Sequence, residues 1–359
     1  MSTETLTTIA TRHQSHYERL KAHEVAKFDA FLLTMDKQIR SELSKAPPEN
    51  IRAMNAQLSL IGVEMLGTMQ EYEAVWLESM SELSIYESGF EVRSLENVVE
   101  GVSFTLPSDA QITAAVFAAP LGDIGTKYAG SLVKPLIKDF IADQVKSMQN
   151  VIRMGYAQGE TTQQIIQRIR GTKPAGYKDG QIAHLKRNQE ALVRTTLQHA
   201  SNQARNETWN NNIQVIDRVK WVSALDDKTS SICRALDGQI FPRDKGQRPP
   251  AHIRCRSSTV AVLKKELAFL QRGGTRSARD PVTGKVGKAP QSQTYYGWLK
   301  GQPVKVQESI IGPKRAKLLR DGGLSAQRFA ELQLGKLNDP INLKQMRKME
   351  PIAFEKAGL

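Results

Sequence analysis

Both cysteines of this 359-residue chain, Cys233 and Cys255, and one of its six histidines, His252, fall within a single stretch from Trp221 to Val262. Two thiolates and an imidazole are donors that zinc prefers, and with one carboxylate, Asp226, they would complete a tetrahedral set. His252 and Cys255 sit three apart on what reads as a turn after Pro249-Pro250, while Cys233 belongs to a separate element. A metal there would staple loop to lobe. The same residues allow other chemistry: a buried thiol pair hydrogen-bonded to the imidazole, a disulfide formed after lysis, or Cys233 as nucleophile with His252 as base. Asp226, Asp227, Asp237 and Asp244 with His252 could instead hold divalent ions for phosphodiester hydrolysis. Asp226 could also cap a helix beginning near Lys228. Neither enzymatic set lies in a nuclease or thiol-protease motif, and the chain has no glycine-rich phosphate loop ending in Lys-Ser or Lys-Thr. The expectation is a non-enzymatic protein, with a metal-dependent enzyme acting on nucleic acid as the alternative.

A second group of residues could bind a polyanion. Residues 1–150 carry 13 Lys and Arg against 20 Asp and Glu, a net of −7, whereas the rest carries 37 against 17, a net of +20. Residues 241–290 are densest, with 12 basic and 3 acidic side chains. Arg254, Arg256, Lys264, Lys265, Arg272, Arg276, Arg279, Lys285 and Lys288 would neutralise phosphates and release counterions without reading bases. No zinc-finger, helix-turn-helix or RNA-binding signature accompanies them, so the expected contact is non-specific, to double-stranded DNA. The acidic half is expected to meet protein.

The stretch around the cysteines reads W-x-x-x-x-D-x-x-T-x-x-x-C-x-x-x-x-G-x-x-F and then P-P-x-H-x-x-C-R. Trp221, Asp226, Thr229, Cys233, Gly238 and Phe241 carry the first half, and Pro249, Pro250, His252, Cys255 and Arg256 the second. This pattern resembles the phage Mu F-like family of minor head (head morphogenesis) proteins, over roughly residues 150 to 262. Members of that family often end the motif in C-R-C, where this chain has Ser257, and many carry His where it has Cys233. A Cys-for-His exchange is what a metal-ligand position permits. The resemblance implies a minor capsid protein of a tailed phage, made in the host cytoplasm and carried inside the head near the portal. It would bind the portal protein and other head proteins and act in assembly, DNA packaging or ejection.

The elements that must position these residues follow from periodicity. Residues 4–46 read as one helix, stopped by Pro47-Pro48 because proline lacks the amide donor. Leu58, Ile61, Met65, Met69, Tyr72, Trp76, Met80 and Leu83 recur at steps of three and four, predicting a second helix and a long N-terminal hairpin. Their stripe is a core or a partner-facing seam. Residues 84–112 read as irregular, with β-leaning Val98-Val99 and Val102–Thr105. Helices are expected from Ser108-Asp109, near Pro135, over Thr162–Arg170 and over Gln189–Trp209, the last with His199 facing inward. Alternation from Val215 to Ser223 suits a strand, with Ile240-Phe241 and Thr259–Val262 as partners. Residues 271–293 read as a basic linker too poor in apolar residues to fold alone. Helices around Pro313–Leu319 and Leu324–Leu334, the second capped by Ser325, close the chain.

The reading is therefore α+β, mostly α: a long N-terminal helical hairpin and helical body with a small mixed α/β lobe. Its parts are an acidic helical domain (1–150), the head-morphogenesis lobe (151–270), a basic linker (271–293) and a helical tail (294–359). No run approaches the roughly 20 apolar residues of a membrane span, so no membrane partner is expected. The first twenty residues lack the order of a signal peptide, and two cysteines in so long a chain point to a reducing compartment.

Overall fold

The computed structural model describes residues 4–122, 124–335 and 339–359. The hairpin begins with α1 (Leu6–Ala26) and α2 (Phe28–Leu43), interrupted only at Lys27, which itself keeps helical dihedrals (φ −57, ψ −28). The expected single helix is thus two nearly continuous ones. After the two prolines, α3 (Ile51–Val98) starts at Asn50, whose side chain accepts from the Ala53 amide at 2.9 Å. It runs 48 residues, well beyond the segment whose apolar period announced it. The reason is chemical. Past Met80 the inward stripe turns polar, with Ser84, Glu87, Ser88, Glu91 and Ser94 buried at helical spacing. A hydrophobic template cannot follow such a stripe.

The segment expected to lean towards β at Val102–Thr105 is extended but forms no strand. The Asn212 side chain takes the place of a strand partner, accepting from the Thr105 amide at 2.8 Å and donating to its carbonyl at 2.9 Å. Capping boxes start α4 (Asp109–Ala118) at Ser108 and α6 (Thr162–Arg170) at Thr161. Between them lies α5 (Val133–Ala157), and α7 (Gln181–Asn210) follows, starting at Gln181 rather than Gln189. The Met and aromatic stripe of α3 is internal: Met65, Met69, Tyr72, Trp76 and Met80 are buried with Phe28, Met35, Leu136, Ile152 and Leu197.

The lobe is built on β1 (Ile216–Val222), central in a three-stranded antiparallel sheet. It pairs with β2 (Ile240–Pro242) on one side and β3 (Ser258–Leu263) on the other, with Val219 opposite Phe241 and Ala261. Between β1 and β2 lies α8 (Ser231–Leu236), whose Ser230 cap accepts from the Cys233 amide. The connection from α8 on to β2 is the Asp237-Gly238 turn. Gly238 has φ 86, and a Cβ there would meet the Thr294 methyl at 2.8 Å, so both backbone and space require glycine.

The segment read as a linker is instead ordered. After a 3-10 turn (Lys265–Gln271), β4 (Thr275–Arg279) and β5 (Val286–Pro290) form an antiparallel hairpin. It lacks a core of its own and is held by docking. The Arg279 amide donates to the Leu225 carbonyl (2.9 Å), the Thr275 amide to Thr8 Oγ1 (3.0 Å), and Thr5 Oγ1 to Gln291 Oε1 (2.7 Å). Among the described residues six short helices, α9 (Tyr295–Lys300), α10 (Val304–Ile311), α11 (Pro313–Asp321), α12 (Ala326–Glu331), α13 (Leu343–Met349) and α14 (Pro351–Lys356), make the tail. They enclose Tyr295, Tyr296, Leu299, Phe329, Met346 and Phe354, and Ser325 caps α12 as expected. Among the described residues no helix is long and apolar enough to cross a membrane.

Candidate functional site

The structure brings Cys233, His252 and Cys255 together, their Sγ and ring nitrogen atoms all within 4.8 Å of one another. Cys233 Sγ lies 3.1 Å from His252 Nε2 and 3.6 Å from Cys255 Sγ. Both cysteines are buried against Trp221, Leu236 and Ala251. Each of the three side chains is held by its element. Cys233 occupies the first turn of α8, and its carbonyl accepts from Ser223 Oγ at 2.7 Å. The turn carrying the other two is shaped by Arg254, at φ 59, where few non-glycine residues sit. The Arg254 amide donates to Thr195 Oγ1 on α7 (2.9 Å), and the Cys255 amide to the His252 carbonyl (3.2 Å). His252 Nδ1 lies 2.8 Å from the Ile253 carbonyl, a contact that needs the proton on Nδ1 and leaves Nε2 facing the sulfurs.

The two thiols of the cluster are driven apart in acidity. The hydrogen bond to Cys255, with burial, pushes the Cys233 thiol up. Burial also raises Cys255, but contacts with Cys233 and His252 more than offset it and hold that thiol below its ordinary value. Burial lowers His252, yet the neighbouring Cys255 sulfur carries it above the usual imidazole range. Ser257, standing where the family motif often has a third cysteine, places its hydroxyl 3.0 Å from Ser223 Oγ.

Asp226, expected as a fourth ligand, is outside this cluster. Its carboxylate receives both guanidinium nitrogens of Arg256 (2.7 and 2.8 Å), the Thr229 hydroxyl (3.0 Å) and the Lys228 amide (3.0 Å). It closes a turn before α8, whose cap is Ser230. Burial raises the Asp226 carboxyl, but the Arg256 bonds outweigh it and hold the group ionised below its ordinary range. Asp227 and Asp244 are exposed.

The expected DNA-binding residues divide into two kinds. Lys264, Lys265, Arg272, Arg279, Lys285 and Lys288 are exposed, as is Arg254. By strand alternation Arg279 and Lys288 share one face of the hairpin, since Lys288 pairs with Ser277. Arg256 is half-buried on Asp226. Arg276 points the other way and is buried, which removes it from any phosphate surface. Its guanidinium grips Asp237 with two bonds of 2.9 Å, donates to the Gln293 carbonyl at 3.0 Å, and also reaches the Ser223 carbonyl. Asp237 further accepts from the amides of Ser223 and Tyr295, both at 2.7 Å. One carboxylate thus ties β1, the hairpin and the tail together. In sequence it reads only as half of an Asp-Gly turn.

A second buried polar group escapes sequence reading altogether. Glu87 on α3 accepts from Arg205 Nη2 of α7 (2.8 Å) and Ser201 (2.9 Å) and pairs with His13 of α1. Arg205 also reaches Ser258 on β3. Burial would raise Glu87, yet Arg205 and His13 carry its carboxyl down to about 2. The only signal in the sequence is the polar residues recurring at helical steps after Ser84. His199 faces inward as expected, its Nε2 3.3 Å from the Val116 carbonyl, and burial pushes it down to about 4. A cavity of about 360 Å³ opens beside His199 and His252.

Residues 146–260 match the family described as Phage Mu protein F like protein. The match spans β1, α8, the sulfur–imidazole cluster and the start of β3, and it implies a phage head morphogenesis protein. No curated protein and no solved structure matches the chain.

Proposed function

We propose that this chain, whose residues 146–260 belong to the Phage Mu F-like family, is a minor head component that meets the portal through its acidic helical half and DNA through a basic surface. It would act in head assembly, DNA packaging or ejection, inside the head. The family match carries this reading, and the uneven charge supports its division of labour. The apolar seam of α3 is consumed by the core, so a portal contact on this half needs other residues. Leu60 and Val63, 53% and 66% exposed on the outer face of α3, are available to a partner. On the basic side, six exposed lysines and arginines from Lys264 to Lys288 supply charge without base-reading geometry.

The DNA half of the proposal is tested in the full-length chain with Arg272, Arg279, Lys285 and Lys288 all replaced by Ala. Arg276 is left intact because it braces the fold. Binding should weaken with salt on a log–log plot with a slope of roughly 0.9 per phosphate, and the variant's slope should be shallower by up to about 3.6. Unchanged affinity and slope would remove DNA from the proposal. The portal half is tested by Leu60→Asp with Val63→Asp, which should abolish co-purification with the co-expressed portal protein. Retained co-purification would move the contact elsewhere.

A further inference from the structure

We propose that Cys233, His252 and Cys255 bind a zinc ion, with water as the fourth ligand on the side of the cavity that His252 lines. Zn–S and Zn–N bonds of about 2.3 and 2.0 Å set ligand atoms roughly 3.5–3.8 Å apart around a tetrahedron. The two sulfurs, at 3.6 Å, already have that separation. Cys233 Sγ and His252 Nε2, at 3.1 Å, need to open by about half an ångström. The imidazole is oriented as a ligand: its Nδ1 is committed to the Ile253 carbonyl at 2.8 Å, which leaves the Nε2 lone pair for the metal. Two thiolates and one dication sum to zero, so loading the site cancels charge where both sulfurs are buried. The soft donors favour zinc over magnesium or calcium, which seek oxygen.

Three ligands come from two elements, α8 and the turn from Ala251 to Cys255, and no fourth His, Cys, Asp or Glu joins them among the described residues. Cys233 and Cys255 do not line the cavity, whereas His252 lines it together with Ile232 and Pro250. Solvent from that cavity completes the shell. The metal would tie the α8 helix to the turn. This inference is independent of the portal and DNA proposals.

The test uses the full-length chain, purified without a polyhistidine tag from zinc-supplemented cells. Elemental analysis should find one zinc per chain, and a chelator should remove it and lower the melting temperature, because binding energy is folding energy. Cobalt(II) added to the stripped wild-type protein should give the visible bands of a tetrahedral thiolate site, and azide should shift them by replacing the water. Cys233→Ser and Cys255→Ser should each lose those bands. The wild-type cobalt spectrum decides the matter even if a variant fails to fold. A folded wild-type protein without stoichiometric zinc and without cobalt bands would overturn the proposal. So would a mass two hydrogens low, which would reveal a disulfide. Cobalt bands indifferent to azide would overturn the open fourth position.

Discussion

The helical body and the lobe are held together by opposite means. In the body, the stripe from Leu58 to Met80 packs against α2, α5 and α7 through many apolar contacts, none of which is unique. In the lobe a few polar side chains each do a singular job: Asp237 with Arg276, Asp226 with Arg256, Cys233 with His252 and Cys255. The difference teaches where substitution should be graded and where it should be abrupt. Dispersion contacts are interchangeable among residues of similar volume, whereas a buried ion pair that loses one partner leaves the other charge stranded.

The largest effect should come from the lobe. Arg276→Ala strands Asp237 among three elements and should cost about 3–5 kcal/mol in chemical denaturation. Arg276→Lys should recover little of it, because an ammonium cannot make the two-pronged grip. Recovery of most of the stability by lysine would break the contrast.

The next effect comes from a buried titratable group within the body, His199. Its folded value of about 4 lies below the ordinary 6.5. Between those pH values the unfolded chain takes up a proton that the folded chain refuses. Stability should therefore be full above pH 6.5 and fall by about 3 kcal/mol as pH drops to 4. Glu87, depressed to about 2 from an ordinary 4.5, should add a further loss only below pH 4.5. Denaturation of wild type and His199→Asn across pH 4.5–6.5 checks this, since the variant should lose the part of the fall that His199 causes.

The smallest effect belongs to the apolar stripe. Met65→Leu keeps the volume of a buried side chain and should cost less than about 1.5 kcal/mol in the same urea titration. A larger loss would show that the body is as intolerant as the lobe.

What could be read beforehand follows the same division. The hairpin of helices, the strands of the lobe and the meeting of Cys233, His252 and Cys255 were legible because apolar periodicity and a dense local motif encode them. The last turns of α3 were not, because its inward stripe there is Ser84, Glu87, Ser88 and Glu91, which a hydrophobic pattern counts as surface. Arg276 reads as one more charge in a basic run, since its partner lies 39 residues away at Asp237. The hairpin of β4 and β5 was missed for a related reason: it borrows its anchors from α1, Leu225 and the tail instead of carrying its own core. Asp226 pairs with Arg256 because a guanidinium 30 residues on satisfies its carboxylate where a metal was expected.

The docking of α1 on that hairpin has a consequence for synthesis. The Thr5 and Gln291 side chains that meet are 286 residues apart. At about 5–20 residues per second, a ribosome needs roughly 15 s to a minute to make the second after the first. For part of that interval Leu6, Ile9 and Ala10, whose apolar face closes on the end of α3, then β1, then β3, have been made ahead of the residues that cover them. The α1 helix is among the last to complete its contacts. Until then the nascent chain presents an adhesive segment to whatever is nearby, whether a chaperone or another copy of itself.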